Sequence, residues 1–180
     1  MVSYEQIWAP WRLAYIEHPT KDARDPQFSV TLAPGVDPTC FLCQGVADPD
    51  QRGRHVIERT ALTVTLLNRY PYTNGHLLVA PKRHCAKLDE LTCEEQLDLS
   101  QTITRMVNVL AAVLRPEGFN LGLNLGAAAG AGLPGHLHWH IVPRWGGDTN
   151  FMLTTASTRV IPQALDSLWE ALTAALQKGG

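Results

Sequence analysis

Three histidines take alternate positions over five residues, His136-Leu137-His138-Trp139-His140. Alternate side chains of an extended chain share a face. A strand here puts three imidazoles in a row, about 6.5–7 Å apart, with Leu137 and Trp139 in the opposite layer. Three neighbouring rings cannot all carry a proton cheaply, so some stay neutral near pH 7. Neutral imidazoles in a row serve two chemistries: metal ligation, and nucleophilic attack on phosphorus or carbon. A glycine-rich run, residues 127–135 (AAAGAGLPG), leads straight into the row. Such a loop offers backbone N–H groups to phosphate oxygens. The plain alternative is a surface strand with spare histidines. A second group, Cys40-Phe41-Leu42-Cys43, has the spacing of one zinc knuckle, and the sequence holds no second C-x-x-C.

These groups need elements to hold them. Strand signals fall at residues 55–58 (HVIE), 62–67 (LTVTLL) and 76–80 (HLLVA), the last bounded by Asn74-Gly75 and Pro81. Residues 68–75 (NRYPYTNG) form the turn-rich link. Thr92 caps a long helix with an acidic first turn. Leu97, Ile103, Val107, Leu110 and Leu114 give it a helical period, and Arg115-Pro116-Glu117-Gly118 ends it. Residues 119–125 and 137–142 read as two further strands, broken at Gly146-Gly147-Asp148, and residues 162–177 as an amphipathic helix. Pro10 could open a short helix in residues 4–17, with Trp8 and Trp11 as packing anchors, and residues 19–39 read as a surface loop. Helix, strands, long helix, strands, helix is the order of an α+β domain with an antiparallel sheet and helices against one face. We expect one domain over residues 1–180: an extension and loop at 1–39, a core at 40–145 and a C-terminal segment and helix at 146–180.

With 180 residues, 45% hydrophobic and 18% charged, the chain can bury a core and is neither fibrous nor disordered. A net charge of −2 argues against a broad electrostatic grip on nucleic acid. No run reaches the roughly 18–20 apolar residues of a membrane span. Residues 1–16 carry acids, a proline and two tryptophans, unlike a secretory signal. A reducing cytoplasm with free or metal-bound thiols is expected.

The histidine row with its apolar continuation Ile141-Val142-Pro143-Arg144 resembles the histidine-triad (HIT) superfamily of nucleotide hydrolases and transferases. Asn68-Arg69-Tyr70-Pro71, the run from Gly75-His76 to Lys82-Arg83-His84, and Asn124-Leu125-Gly126 match further elements of that family. The resemblance covers about residues 40–145. With Ile7-Trp8-Ala9-Pro10-Trp11-Arg12, it looks most like a bacterial branch near diadenosine tetraphosphate phosphorylases. It implies a five-stranded antiparallel sheet that pairs into a homodimer or higher homo-oligomer. It implies cleavage of dinucleoside polyphosphates through a nucleotidyl-histidine, with phosphorolysis slightly preferred over hydrolysis, and adenine nucleotides and inorganic phosphate as partners.

Residue by residue, the resemblance makes His138 the nucleophile and gives His140 and His76 N–H groups for phosphate oxygens, with His136 in the same triad. Asn68 matches a ribose contact and Asn124 a position near the phosphate, and Leu66 and Leu78 would flank the base. The loop departs from the family. Residues 130–135 lack the polar side chains common before the first histidine, leaving backbone N–H groups at residues such as Gly132 and Gly135. Trp139 is also bulkier than usual and is expected to pack on the far face. The chemistry requires no cofactor. A structural zinc would use Cys40, Cys43, His84 and His136, and would leave His76, His138 and His140 as the working pocket. Other readings stay open: a nucleoside phosphoramidase or polyphosphate hydrolase of the same superfamily, a non-catalytic nucleotide- or metal-binding module, and a metallohydrolase built on the three triad histidines.

Overall fold

A computed structural model describes residues 37–148 and 161–178. The helix expected after Pro10, the packing of Trp8 and Trp11, and most of the loop at 19–39 lie outside the described residues.

Cys40 leads into a short helix, α1 (Phe41–Ala47). Three strands follow: β1 (Val56–Arg59), β2 (Thr63–Leu67) and β3 (Leu77–Pro81). Next come a 3-10 turn (Leu88–Glu90) and a long helix, α2 (Cys93–Leu114). Strand β4 (Gly118–Leu123), a 3-10 turn (Ala127–Ala129), strand β5 (Trp139–Arg144) and helix α3 (Leu165–Lys178) complete the order. The strands form one antiparallel sheet in the order β1-β2-β3-β5-β4. The expected five-stranded α+β fold is therefore present.

Local chemistry explains the boundaries. Thr92 Oγ1 accepts the Glu95 N–H at 3.2 Å, and Glu95 accepts the Thr92 N–H at 2.9 Å. This reciprocal cap is worth about 1 kcal/mol. Arg115 stops α2 in the left-handed region at φ 50°. Gly75, at φ +80°, makes the turn into β3, where a Cβ would run into Leu114 Cδ1.

Side chains divide between two apolar layers. Leu67, Leu77, Val79 and Ile141 face α2 and α3, packing with Leu99, Met106, Leu110, Leu168 and Leu172. Trp139 packs against this layer, as expected. Across the sheet, Val56, Val64, Leu66 and Ala80 pack with Cys40, Leu42 and Cys43 beneath α1. Each fully buried leucine or valine contributes about 1.5–3 kcal/mol. Alpha-1 sits close to the strands because of Gly45, where a Cβ would lie 2.6 Å from Leu66 Cδ2. Arg59 holds the end of α1 by donating to the Gly45 and Asp48 carbonyls at 2.7 and 2.5 Å.

One expectation is corrected. The three histidines do not form a row on a single strand, because β5 begins at Trp139 and only His140 lies within it. The chain at His136 is still turning, its N–H aimed at the Leu133 carbonyl at 3.4 Å, and the Leu137 N–H donates to Cys85 O at 2.8 Å. The three rings therefore separate into two groups.

Candidate active site

Register brings the first group together. Leu66 on β2 is opposite Leu78 on β3, and Leu78 is opposite His140 on β5. These three side chains share the sheet face that α1 covers at one end. His76 immediately precedes β3, and its Nε2 lies 2.8 Å from His140 Nδ1. The rings of His138 and His140 have centroids 5.1 Å apart. Tyr72 stacks on His76 at 4.6 Å and on His140 at 5.9 Å.

Backbone partners fix where the ring protons sit. His138 Nδ1 lies 2.8 Å from the His136 carbonyl oxygen. A carbonyl only accepts, so Nδ1 carries the proton and the neutral ring keeps its lone pair on Nε2. Burial lowers the His138 imidazole below its ordinary range, although the bond to the His136 carbonyl opposes this. His76 is pushed down to about 3 by burial, then by the neighbouring His140 and His138 rings. Two buried rings are thus held neutral, one with its Nε2 lone pair exposed by its own tautomer.

His136 belongs to the second group. Its Nε2 donates to the Pro81 carbonyl at 2.8 Å, and its Nδ1 stands 3.3 Å from Cys40 Sγ and 3.5 Å from Cys43 Sγ. Cys43 Sγ is 3.2 Å from His84 Nδ1. Ligand atoms from Cys40, Cys43, His84 and His136 all lie within 4.8 Å of one another. In a tetrahedral zinc site the S···N edge is about 3.6 Å, from Zn–S of about 2.3 Å and Zn–N of about 2.0–2.1 Å. The donor set fits such an ion. The Pro81 carbonyl supplies the outer hydrogen bond that turns a ligating imidazole's lone pair inward. Burial raises the Cys40 thiol to about 12, and a bound cation would offset the cost of a buried thiolate. His136 Nδ1 faces the cluster and Nε2 is taken by the Pro81 carbonyl, so its link to His138 runs through its backbone carbonyl.

The remaining expected residues fall in several places. Asn68 is half-buried beside His76, with its Nδ2 3.2 Å from His76 Nδ1 and its Oδ1 accepting the Tyr70 N–H at 2.9 Å. Leu66 and Leu78 are both 3% exposed, and Leu66 packs beneath α1 with the cysteines, which places it in a core layer. Asn124 Nδ2 donates to the Gly130 carbonyl at 3.4 Å across the base of the loop. Gly132 is exposed in the loop. Gly135 lies against His84, whose Nε2 is 3.5 Å from where a Cβ would stand, so it borders the thiol cluster.

The pattern of motifs is matched by comparison with known proteins. The family model described as the HIT domain matches residues 50–147. The chain belongs to the HIT family. An AP-4-A phosphorylase of Mycobacterium tuberculosis is 41% identical over 162 residues, covering 89% of this chain and 78% of the relative. An asymmetrical bis(5'-nucleosyl)-tetraphosphatase of Schizosaccharomyces pombe is 36% identical over 92 residues, 51% of this chain and 50% of its own. A crystal structure of a zinc-bound histidine triad family protein from Mycobacterium smegmatis aligns with a TM-score of 0.60 at 28% identity. It covers 77% of this chain and 94% of that one.

Sequence reasoning missed two parts of this HIT domain. Tyr72 lies over the histidine pair, and its backbone N–H donates to His76 Nδ1 at 3.1 Å. Its one sequence signal is its place in the turn-rich link four residues before His76. The Pro81 carbonyl has no sequence signal, since every residue has one. Among the described residues no helix is long and apolar enough to cross a membrane.

Proposed function

We propose that this HIT protein cleaves dinucleoside polyphosphates, diadenosine tetraphosphate among them, by transferring a nucleotidyl group through His138. The observation that carries the reading is the bond from His138 Nδ1–H to the His136 carbonyl at 2.8 Å, which leaves Nε2 as the nucleophile. Nε2 attacks the α-phosphorus, the P–O bond to the polyphosphate breaks, and that oxygen leaves with the electron pair. The product is a nucleotidyl-imidazole. His140, backed by His76, donates an N–H to the non-bridging oxygens where charge gathers. An oxygen of inorganic phosphate then attacks phosphorus, the P–N bond breaks, and the pair returns to Nε2.

Phosphate is preferred over water as the second nucleophile. Two features support this: the loop at residues 130–135 has no side chain to hold a water, and the 41%-identical relative is a phosphorylase. The cluster of Cys40, Cys43, His84 and His136 holds a structural zinc outside the chemistry. The same reading takes the protein to be a cytoplasmic homodimer joined along β4, whose residues Asn120, Leu121 and Gly122 are exposed at the sheet edge. The test is incubation with diadenosine tetraphosphate, with and without phosphate, followed by mass analysis of the products. ADP plus ATP, strictly dependent on phosphate, is expected. AMP plus ATP, or two ADP, would mean attack by water, as in a tetraphosphatase. Tight binding without turnover would mean a non-catalytic module.

A further inference from the structure

The family resemblance matches Asn68 to a ribose contact, yet both ends of its amide are engaged within the protein. Oδ1 accepts the Tyr70 N–H at 2.9 Å, and Nδ2 faces His76 Nδ1 at 3.2 Å. The first bond fixes the second. A backbone N–H must meet the carbonyl end of the amide, so the NH2 end meets the ring. The Tyr72 N–H converges on the same nitrogen at 3.1 Å. Two groups that only donate therefore aim at His76 Nδ1, which must accept, and the proton of the neutral ring sits on Nε2. His76 Nε2 lies 2.8 Å from His140 Nδ1. That proton occupies the short contact, His140 Nδ1 accepts it, and neutral His140 carries its own proton on Nε2. The stacked Tyr72 ring, 30° from the plane of His76, holds the ring against rotation.

We propose that Asn68 is a positioning residue that, together with the Tyr72 N–H, locks the tautomers of His76 and His140 so that His140 presents an N–H from Nε2 rather than a lone pair. No proton moves along this chain; it sets polarity before substrate arrives. The inference rests on the reading of His140 as a donor to phosphoryl oxygens. An Nε2 lone pair would repel those oxygens, whereas an N–H stabilises them as charge develops. A ribose contact alone would act on binding. A tautomer lock acts on the bond-breaking step.

The test is nitrogen-correlated ring spectroscopy of isotope-labelled protein at mildly alkaline pH, with steady-state kinetics alongside. In the wild type, His76 and His140 should each show a bare Nδ1 and a protonated Nε2. Asn68→Asp sets an oxygen that only accepts against His76 Nδ1, and should draw a proton onto that nitrogen. Asn68→Ala keeps the Tyr72 bond and should lower kcat roughly 2- to 12-fold, the worth of one hydrogen bond, with KM unchanged. The same fall should appear with a dinucleotide lacking the ribose 2′- and 3′-hydroxyls. A wild-type His76 protonated on Nδ1 would overturn the proposal. So would an Asn68→Asp ring spectrum identical to wild type, or an Asn68→Ala deficit that vanishes with the deoxy substrate. Should no form of the protein cleave dinucleoside polyphosphates, the proposed function fails, while the spectra still decide the role of Asn68.

Discussion

Acid should destabilise this fold through His76, by an amount the structure sets. The ring is 1% exposed and is held down to about 3, first by burial and then by His140 and His138. In the unfolded chain a histidine titrates near 6.5. Its folded value is depressed, so the unfolded state binds a proton first as pH falls. Stability is fully present above about 6.5 and is lost progressively down to about 3. Taking the pH from about 7 to about 5 protonates the unfolded ring almost completely and the folded ring hardly at all. At about 1.36 kcal/mol per pH unit, the loss comes to about 2 kcal/mol. The figure changes little for any folded value at or below about 4. The assay is urea unfolding of wild type and His76→Phe at both pH values. The wild type should lose about 2 kcal/mol more than the variant across that interval. Equal losses would refute the neutral, desolvated state assigned to this ring.

Other perturbations have equally definite outcomes. Cys43→Ser removes one of four converging ligands; metal analysis should fall from one zinc per chain to almost none, with a lower Tm, and unchanged stoichiometry would contradict the site. Chelation of the wild type should reduce Tm while the fraction still folded keeps its turnover; turnover lost from intact protein would favour a metallohydrolase. Gly45→Ala places a methyl 2.6 Å from Leu66 Cδ2; overpacking of about 1–3 kcal/mol set against about 1 kcal/mol of helix propensity gained should leave a net loss of up to about 2 kcal/mol in urea unfolding, whereas a net gain of about 1 kcal/mol would mean that α1 is not pressed onto the sheet. His140→Ala should cut kcat by about 10²–10³ if its N–H stabilises the transferring phosphoryl group; a near-normal kcat would remove it from that role.

Much of the fold was legible because its signals are local. Thr92 with Glu95 marks the start of α2, and the β-branched run in β2 needs a sheet. The site was legible as a set of residue types, since five histidines and two cysteines at these spacings have few uses. The grouping of His136 with Cys40, Cys43 and His84, and of His76 with His138 and His140, was legible through the family resemblance; residue spacing alone did not yield the direction of each ring. The alternation at 136, 138 and 140 suggests one row, but the turn at His136 starts β5 later and sends that ring to the cysteines. Those partners lie more than 90 residues away, so no local pattern records the choice. Helix α1 went unread for a related reason: a C-x-x-C run reads equally well as a turn, and its packing depends on the fit of Gly45 to Leu66. The tautomers depend on the carbonyls of Pro81 and His136 and on the N–H of Tyr72, backbone groups that residue identity does not distinguish.

The central claim is that Nε2 of His138 becomes bonded to phosphorus, and rapid-quench mass spectrometry of the enzyme with diadenosine tetraphosphate in phosphate-free buffer tests it most directly. An adenylyl group on the peptide containing His138 is expected, discharged as ADP when phosphate is added and absent from His138→Asn. An adduct on another residue, or full turnover by His138→Asn, would contradict it.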